Sequence, residues 1–288
     1  MTLVILAAGH GRRFGGLKQL AAVGPEDQAL LDYTALDAVA CGLGPIVLVV
    51  RDEIRQEVED HVRKQWPSNV DWEVAVQGPP AGTAQAVLSA EPLVEGAFGV
   101  ANADDHYGLE ALELLARRLA PTEGEEEAPA HLLAGFHLAS TVFTSGTVTR
   151  GICRVDPSGV LVDLSEQKVT PLEAGGYVGV AVGAMPGSPV QPLSGDEIVS
   201  MNLWGFQHRM FDHLRAAVEG FDPPPPPPDA EKPPELLLPD VVRELVLGGT
   251  DAVEVVAAGG RCIGITHPED LDFVRKELAN RRPGDAGA

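Results

Sequence analysis

Positive charge is scarce in this chain. Its 288 residues carry 21 Lys and Arg against 42 Asp and Glu, a formal charge of −21. Such acidity excludes nonspecific binding to nucleic acid or to anionic lipid, both of which need basic surface. Cysteine is rare as well: Cys41, Cys153 and Cys262 are odd in number, widely scattered and without a CxxC pair. A disulfide framework or zinc knuckle is therefore excluded, and a reducing cytoplasm is the expected location. Long apolar runs are missing. The first, Leu3–Ala8, is far below the roughly 20 residues needed to span a bilayer. No basic flank followed by a long apolar stretch precedes it, so no secretory signal is expected.

What remains is the composition of a globular protein, 44% hydrophobic and 22% charged, long enough for one large domain or two smaller ones. Short apolar runs alternate with amphipathic ones. Leu3–Ala8, Ile46–Val50, Val70–Val76 and Phe98–Ala101 read as strands. Leu30–Leu43, Glu53–Gln65, Thr83–Ala90 and Leu109–Leu119 read as helices. Uniformly apolar strands alternating with helices predict a parallel sheet covered on both faces, a three-layer α/β fold. The second half changes character. Ile152–Val155 and Val160–Leu164 flank a hairpin turn, and Val178–Val182 and Ile198–Phe206 add strand candidates. Glu235–Leu247 reads as a helix, Ala252–Val256 and Cys262–Ile265 as strands, and Thr266–Glu269 as a capping box opening a last helix. The expected organisation is one domain over 1–280, with a nucleotide-binding half at 1–120 and a second half at 130–280. A proline-rich excursion spans 221–234, and 281–288 reads as a frayed tail.

One loop runs against the charge balance. Ala8-Gly9-His10-Gly11-Arg12-Arg13-Phe14-Gly15-Gly16-Leu17-Lys18 carries three fixed cations and no acid. Its glycines let backbone N–H groups approach an anion, Arg supplies forked donors and Lys a compact charge, a combination suited to a polyphosphate. It is not a P-loop, because Gly11-x4-Gly16 is followed by Leu17 rather than by Lys and Ser or Thr. Nor does a dinucleotide-binding helix fit, since Gly15-Gly16 would break it early. Further along, the Gln77 amide offers a donor and an acceptor to a base edge, with Gly82 and Thr83 shortly after. Asn102-Ala103-Asp104-Asp105 places carboxylates at the end of the Phe98–Ala101 strand, where open α/β sheets bind ligands and where Mg2+ could bridge phosphates.

The stretch LAAGHGRRFGGLK resembles the signature loop of the sugar-phosphate nucleotidyltransferases, the nucleoside-diphosphate-sugar pyrophosphorylases. The resemblance implies a GT-A-like Rossmann fold with a mainly parallel central sheet and an added smaller β-rich sugar-binding part. It implies that Ala8, Gly9, Gly11, Arg12, Gln77, Gly82 and Thr83 bind nucleotide. Arg13 would hold the leaving pyrophosphate, Lys18 would neutralise charge near the reacting phosphorus, and Asp104 would bind Mg2+. Gly151, Glu166, Lys168 and Asn202 resemble the residues that contact the sugar and its phosphate, although Gln167 separates two positions that are adjacent in many relatives. One departure stands out: Gly264 lies where many of these enzymes have a second metal-binding Asp.

The function so implied is condensation of a nucleoside triphosphate, UTP or dTTP favoured, with a sugar 1-phosphate, releasing pyrophosphate. The partners are then two small molecules, with no nucleic acid and no membrane, and a homo-oligomer is compatible. Cytidylyl transfer to a non-sugar phosphate alcohol or cofactor is the first rival, a nucleotide-sugar binding protein that has lost catalysis the second, and a nicotinamide dehydrogenase a distant third. The eight histidines read as structural or surface groups.

Overall fold

The computed structural model describes residues 1–9, 17–79, 82–120, 130–143, 146–185, 187–223 and 234–285. Gly11, Arg12 and Arg13 lie outside these residues, as do the acidic run 123–127 and most of the proline-rich segment.

Leu3–Leu6 (β1), Ile46–Val50 (β2), Trp72–Val76 (β3) and Phe98–Asn102 (β4) pair parallel in the order β3-β2-β1-β4. Leu30–Ala40 (α1), Arg55–Gln65 (α2), Thr83–Ser89 (α3) and Leu109–Leu119 (α4) connect and cover them. Alternation along β1 explains why every residue of it is apolar. Leu3 and Ile5 join a core with Leu31 of α1, Val58 of α2 and Leu115 of α4, while Val4 joins the opposite core with Ala84 and Val87 of α3. Helix α4 approaches the sheet closely: a Cβ on Gly99 would lie 2.9 Å from Leu115 Cδ2. The order of strands reverses between β1 and β4, which opens a crevice at their carboxyl ends.

The sheet then continues with antiparallel pairs. Asp105–His106 (β5) stands apart, and His131–His137 (β6), Val148–Val155 (β7), Leu161–Pro171 (β8), Tyr177–Ala181 (β9) and Gln191–Leu193 (β10) follow. Next come Ile198–Ser200 (β11) and Trp204–Phe206 (β12). The predicted strand over Ile198–Phe206 is thus interrupted. Both pieces run antiparallel to β6, at Ile198↔His137 and Trp204↔Leu133, with a register step across Met201–Leu203. Asn202 takes the left-handed conformation at φ 59° in that step, which Asn tolerates better than most residues. Before the step the strand's other neighbour is β7, and after it β4. The bulge therefore hands the chain from the outer sheet to the nucleotide half.

Met210–Glu219 (α5), Leu238–Leu247 (α6), Val253–Ala257 (β13), Ile263–Gly264 (β14) and Asp270–Leu278 (α7) complete the chain. Strand β13 adds parallel to β6, and β14 pairs with β5. Among the described residues no helix is long and apolar enough to cross a membrane.

Three expectations need correction. Helix α6 starts at Leu238 rather than Glu235, with Pro239 in its first turn. The capping box at Thr266–Glu269 does not form. Instead Asp270 Oδ2 accepts the N–H groups of Thr266 and His267, each at 2.7 Å, so the carboxylate caps the turn before α7. The tail is not frayed through Gly284. Arg281 Nη2 and the Gly284 N–H donate to buried Asp37 at 2.6 and 2.8 Å, and Tyr33 Oη donates to the Arg281 carbonyl. A buried acidic side chain inside α1 needs such donors, and the C-terminal segment supplies them.

Candidate active site

Two cavities open where β1 and β4 diverge, and Asn102, Asp104 and Asn202 line both. The larger, about 580 Å³, is walled by Ala8, Gly9, Arg51, Gln77, Gly82 and Thr83. The smaller, about 160 Å³, is walled by Asp105, Arg150, Gly151, Glu166 and Ser200.

The larger cleft is built on strand ends and a helix start. Gln19 Nε2 donates to the Ala7 carbonyl at 2.9 Å, which ties the far end of the glycine-rich loop to β1. Gln77 follows β3 directly and donates through Nε2 to the Gly82 carbonyl at 2.9 Å. Gly82 has φ 128°, and a Cβ there would lie 2.2 Å from the Leu236 carbonyl. That position combines a backbone shape that favours glycine with a contact that admits no side chain. Ala84 N–H donates to the Leu236 carbonyl, and the Leu238 N–H donates to Thr83 Oγ1 at 2.8 Å. The start of α3 and the segment before α6 are thereby locked together beside the cleft.

At the junction of the cavities Lys18 Nζ lies 2.5 Å from Asp104 Oδ2. The neighbouring Asp105 is pushed up toward the neutral form, first by burial and then by the Asp104 charge, against the hydrogen bond from Asn102 Nδ2 at 2.9 Å. Thr34 Oγ1 of α1 donates to the Asp105 carbonyl at 2.8 Å and fixes its backbone. A Cβ on Gly264 would lie 2.1 Å from Asp105 Oδ1. The departure noted at Gly264 thus has a steric cause: the Asp105 carboxylate fills the space into which a side chain at 264 would start. Asp104 and Asp105 are hard-oxygen groups that could contribute ligands to a divalent cation, and the missing side chain at Gly264 leaves the room that the Asp105 carboxylate fills.

In the smaller cavity Glu166 on β8 pairs across from Gly151 on β7. Its carboxyl is raised by burial and by the Asp240 charge. The side chain of Lys168 points to the same side of β8, one pleat further on, opposite Thr149. It is exposed and lines neither cavity. Asn202 Oδ1 accepts from Trp204 Nε1 at 3.2 Å, which leaves its amide nitrogen for a ligand. Trp204 and Phe206 are fully buried core residues.

Three residues escaped the sequence reading. Arg51 follows β2, lines the larger cleft and donates through Nε to the Ala8 carbonyl at 2.9 Å. The rule that ligands sit at the ends of parallel strands would have flagged it. Arg150 reaches Thr141 through Nε and Nη2, at 3.0 and 2.5 Å, beneath the smaller cavity. Tyr107 accepts the Asn102 N–H and donates to the Met201 carbonyl, each at 2.9 Å, which joins β4 to the bulge at Asn202. No local pattern signals that last link.

A second polar cluster stands away from this site. His131, His213 and Asp251 bring ligand-type atoms together, but His131 Nδ1 accepts the Gln207 N–H at 3.1 Å. A neutral ring then carries its proton on Nε2, the atom 3.1 Å from Asp251 Oδ2. Arg209 already pairs with both Asp251 oxygens, at 2.7 and 3.0 Å. Arg209 and His213 hydrogen-bond Asp251 and clamp α5 to the start of β13. His131 Nε2 lies beside Asp251 without a hydrogen bond of its own among the described residues, and with its proton on Nε2 it is not disposed as a metal ligand.

Residues 3–134 match the MobA-like NTP transferase domain family. Over those residues the chain is similar to a nucleotidyltransferase domain. The matched residues hold β1 to β4, Asp104 and the lining of the larger cleft apart from Asn202 and Glu235. The fold extends further. The structure of the inositol-1-phosphate CTP transferase from T. maritima superposes with a TM-score of 0.64 at 15% identity, over 97% of this chain and 96% of that one. At that identity the likeness is one of fold. No curated protein sequence matches the chain. The three-layer GT-A-like architecture expected from the sequence is the one observed, with the nucleotidyltransferase domain parallel and the outer half antiparallel.

Proposed function

We propose that the protein transfers a nucleotidyl group from a nucleoside triphosphate to a phosphorylated polyhydroxy acceptor and releases pyrophosphate. The observation that carries this reading is the junction: Asn102, Asp104 and Asn202 belong to both cavities, so a triphosphate in one and an acceptor in the other meet at Asp104. An acceptor phosphate oxygen attacks the α-phosphorus in line, the bond to the β-phosphate oxygen breaks, and pyrophosphate leaves with both electrons of that bond. Such a reaction needs positioning and charge neutralisation more than a general base. Lys18, 2.5 Å from Asp104, brings its ammonium to the place where the transferred phosphoryl would sit. Arg13 is assigned to the leaving pyrophosphate by resemblance alone. Asp104 and Asp105 would hold Mg2+, which supplies positive charge to the α-phosphate oxygens.

The acceptor cavity is small and mostly polar, with Glu166, Ser200, Thr149 and Asn202 around it. These side chains suit ring hydroxyls, so a sugar 1-phosphate is the acceptor this reading favours. A cyclic polyol phosphate presents the same ring of hydroxyls and one phosphate, and the shared fold of the inositol-1-phosphate CTP transferase supports it as the second choice. The reading of a binding protein without catalysis loses ground, because Asp105 offers a carboxylate where Gly264 lacks one. Pyrophosphate release should be measured with each common triphosphate against a panel of sugar 1-phosphates and polyol phosphates. Release that needs both substrates and stops on chelation of divalent metal is expected. No release from any pair would overturn the proposal.

A further inference from the structure

We infer that Arg51 and Gln77 read the base of the donor nucleotide and select cytosine over uracil and thymine. The inference rests on the reading of the larger cleft as a nucleoside triphosphate site. The two residues are neighbours by construction. Val50 and Val76 are register partners on parallel strands, and the Gln77 N–H donates to the Val50 carbonyl at 2.8 Å, so Arg51 and Gln77 extend side by side from the strand ends into the cleft.

An unrestrained Gln amide can serve either pyrimidine, since rotation by half a turn exchanges its donor and its acceptor. Here it is restrained. Nε2 donates to the Gly82 carbonyl at 2.9 Å, and rotation would set oxygen against oxygen. Gln77 is therefore held with Oε1, an acceptor, available to the ligand, beside the one N–H of Nε2 that Gly82 does not engage. The carboxylates of Asp52 and Glu53, on the wall beside Arg51, are acceptors too. The charged, forked donor in this part of the wall is the Arg51 guanidinium. Its Nε is engaged by the Ala8 carbonyl at 2.9 Å, and its Nη1 lies 3.4 Å from Glu53 Oε2. Nη2 has no hydrogen-bond partner among the described residues, and Nη1 has one N–H to spare.

Cytosine offers the complement along its pairing edge: an exocyclic amine that donates, then N3 and O2 as adjacent acceptors. The amine fits Gln77 Oε1, and the two acceptors fit the planar fork of Arg51. Uracil and thymine place a carbonyl where cytosine has its amine and an N–H where it has N3. Their O4 would face Oε1, acceptor against acceptor, and their N3–H would face a guanidinium donor. Two buried polar groups would be left unpaired, the situation in which a hydrogen-bonding site discriminates most strongly. The sequence reading, which treated Gln77 as both donor and acceptor and favoured UTP or dTTP, lacked the bond to Gly82 and the neighbouring Arg51 fork on which this inference turns.

The test is calorimetric titration of the full chain with CTP, UTP, dTTP, ATP and GTP, with Mg2+ and without acceptor. CTP should bind about 10- to 100-fold tighter than UTP or dTTP. UTP or dTTP binding as tightly as CTP would overturn the inference, and so would a purine triphosphate that matched it. Arg51→Lys keeps the charge and removes the fork, so the preference for CTP should shrink to about 3-fold or less while UTP affinity changes little. An equal loss of affinity for CTP and UTP would overturn the inference by assigning Arg51 to the phosphates. Binding without cytosine preference defeats this inference alone, whereas failure of every triphosphate to bind defeats the proposed function with it.

Discussion

The two cavities meet at Asp104 but are made in opposite ways. The larger cleft uses the ends of parallel strands, where each of these lining residues stands within two positions of a strand end: Ala8 after β1, Arg51 after β2, Gln77 after β3 and Asp104 after β4. Its walls are positioned by main chain, as in the contacts of Ala8, Gly82 and Leu236. The acceptor pocket uses the middles of antiparallel strands, where Gly151, Glu166 and Ser200 project from β7, β8 and β11. There the side chain itself decides, and neighbours two residues away on the same strand point to the same side without reaching the cavity. A site at strand ends tolerates change in the side chains around it but not in its backbone. A site on a strand face should show the reverse.

Loss of the shared group should have the largest effect. Asp104→Asn is expected to lower turnover on the order of 10²–10³-fold, with binding of both substrates partly retained. Near-normal turnover would remove Asp104 from the junction and separate the cavities functionally.

Acidification tests the clamp beneath the two halves. Burial lowers the His131 pKa from 6.5 to about 4, so the folded ring stays neutral where the unfolded one takes up a proton. The unfolded state then binds more protons between about pH 6.5 and 4, and stability falls as the pH drops through that window. Asp251, held below its ordinary value by Arg209 and His131 against burial, adds a loss at still lower pH. Thermal unfolding at pH 7.5 and 4.5 should differ by roughly 2 kcal/mol, and His131→Gln should flatten the difference. An unchanged profile in that variant would sink the assignment.

Gly82→Ala tests the backbone side of the comparison. Its positive φ and its 2.2 Å approach to the Leu236 carbonyl predict a loss of roughly 1–3 kcal/mol. Triphosphate affinity should fall and acceptor affinity should not, as two calorimetric titrations would read. The smallest effect is expected on the strand face. Glu166→Gln should raise the acceptor KM by roughly 10-fold and leave triphosphate binding unchanged, while Lys168→Ala should change neither by more than about 3-fold. A larger effect of Lys168→Ala than of Glu166→Gln would reverse the assignment of that face.

Legibility in the sequence follows the same division. The strands β1 to β4 could be read because both their faces are buried, so apolar runs mark them without interruption. Asp104 and Gln77 could be found because they stand within two residues of such runs, and Gly82 because it follows Gln77 by five residues in a glycine-bearing segment. Arg51 stands in an equivalent place but lacks a glycine pattern around it. Arg150 and Tyr107 could not be found, since their partners Thr141 and Met201 lie on other strands or loops. The capping box at Thr266 failed for a related reason: Asp270, one residue past the expected motif, offers a carboxylate to the same N–H groups.

By itself the sequence determined the three-layer α/β class, the order of elements and a local concentration of cations in a chain of charge −21. These depend on periodicity and composition, which neighbouring residues carry. Only the tertiary structure decided that Asp105 occupies the space left by Gly264, that the Gln77 amide nitrogen is bonded to the Gly82 carbonyl, and that Glu166 rather than Lys168 lines the smaller cavity. Each of those outcomes is set by an atom whose neighbour is distant in the chain or whose direction the strand pleat fixes. A sequence names the donors and acceptors available, and packing settles which of them are already engaged.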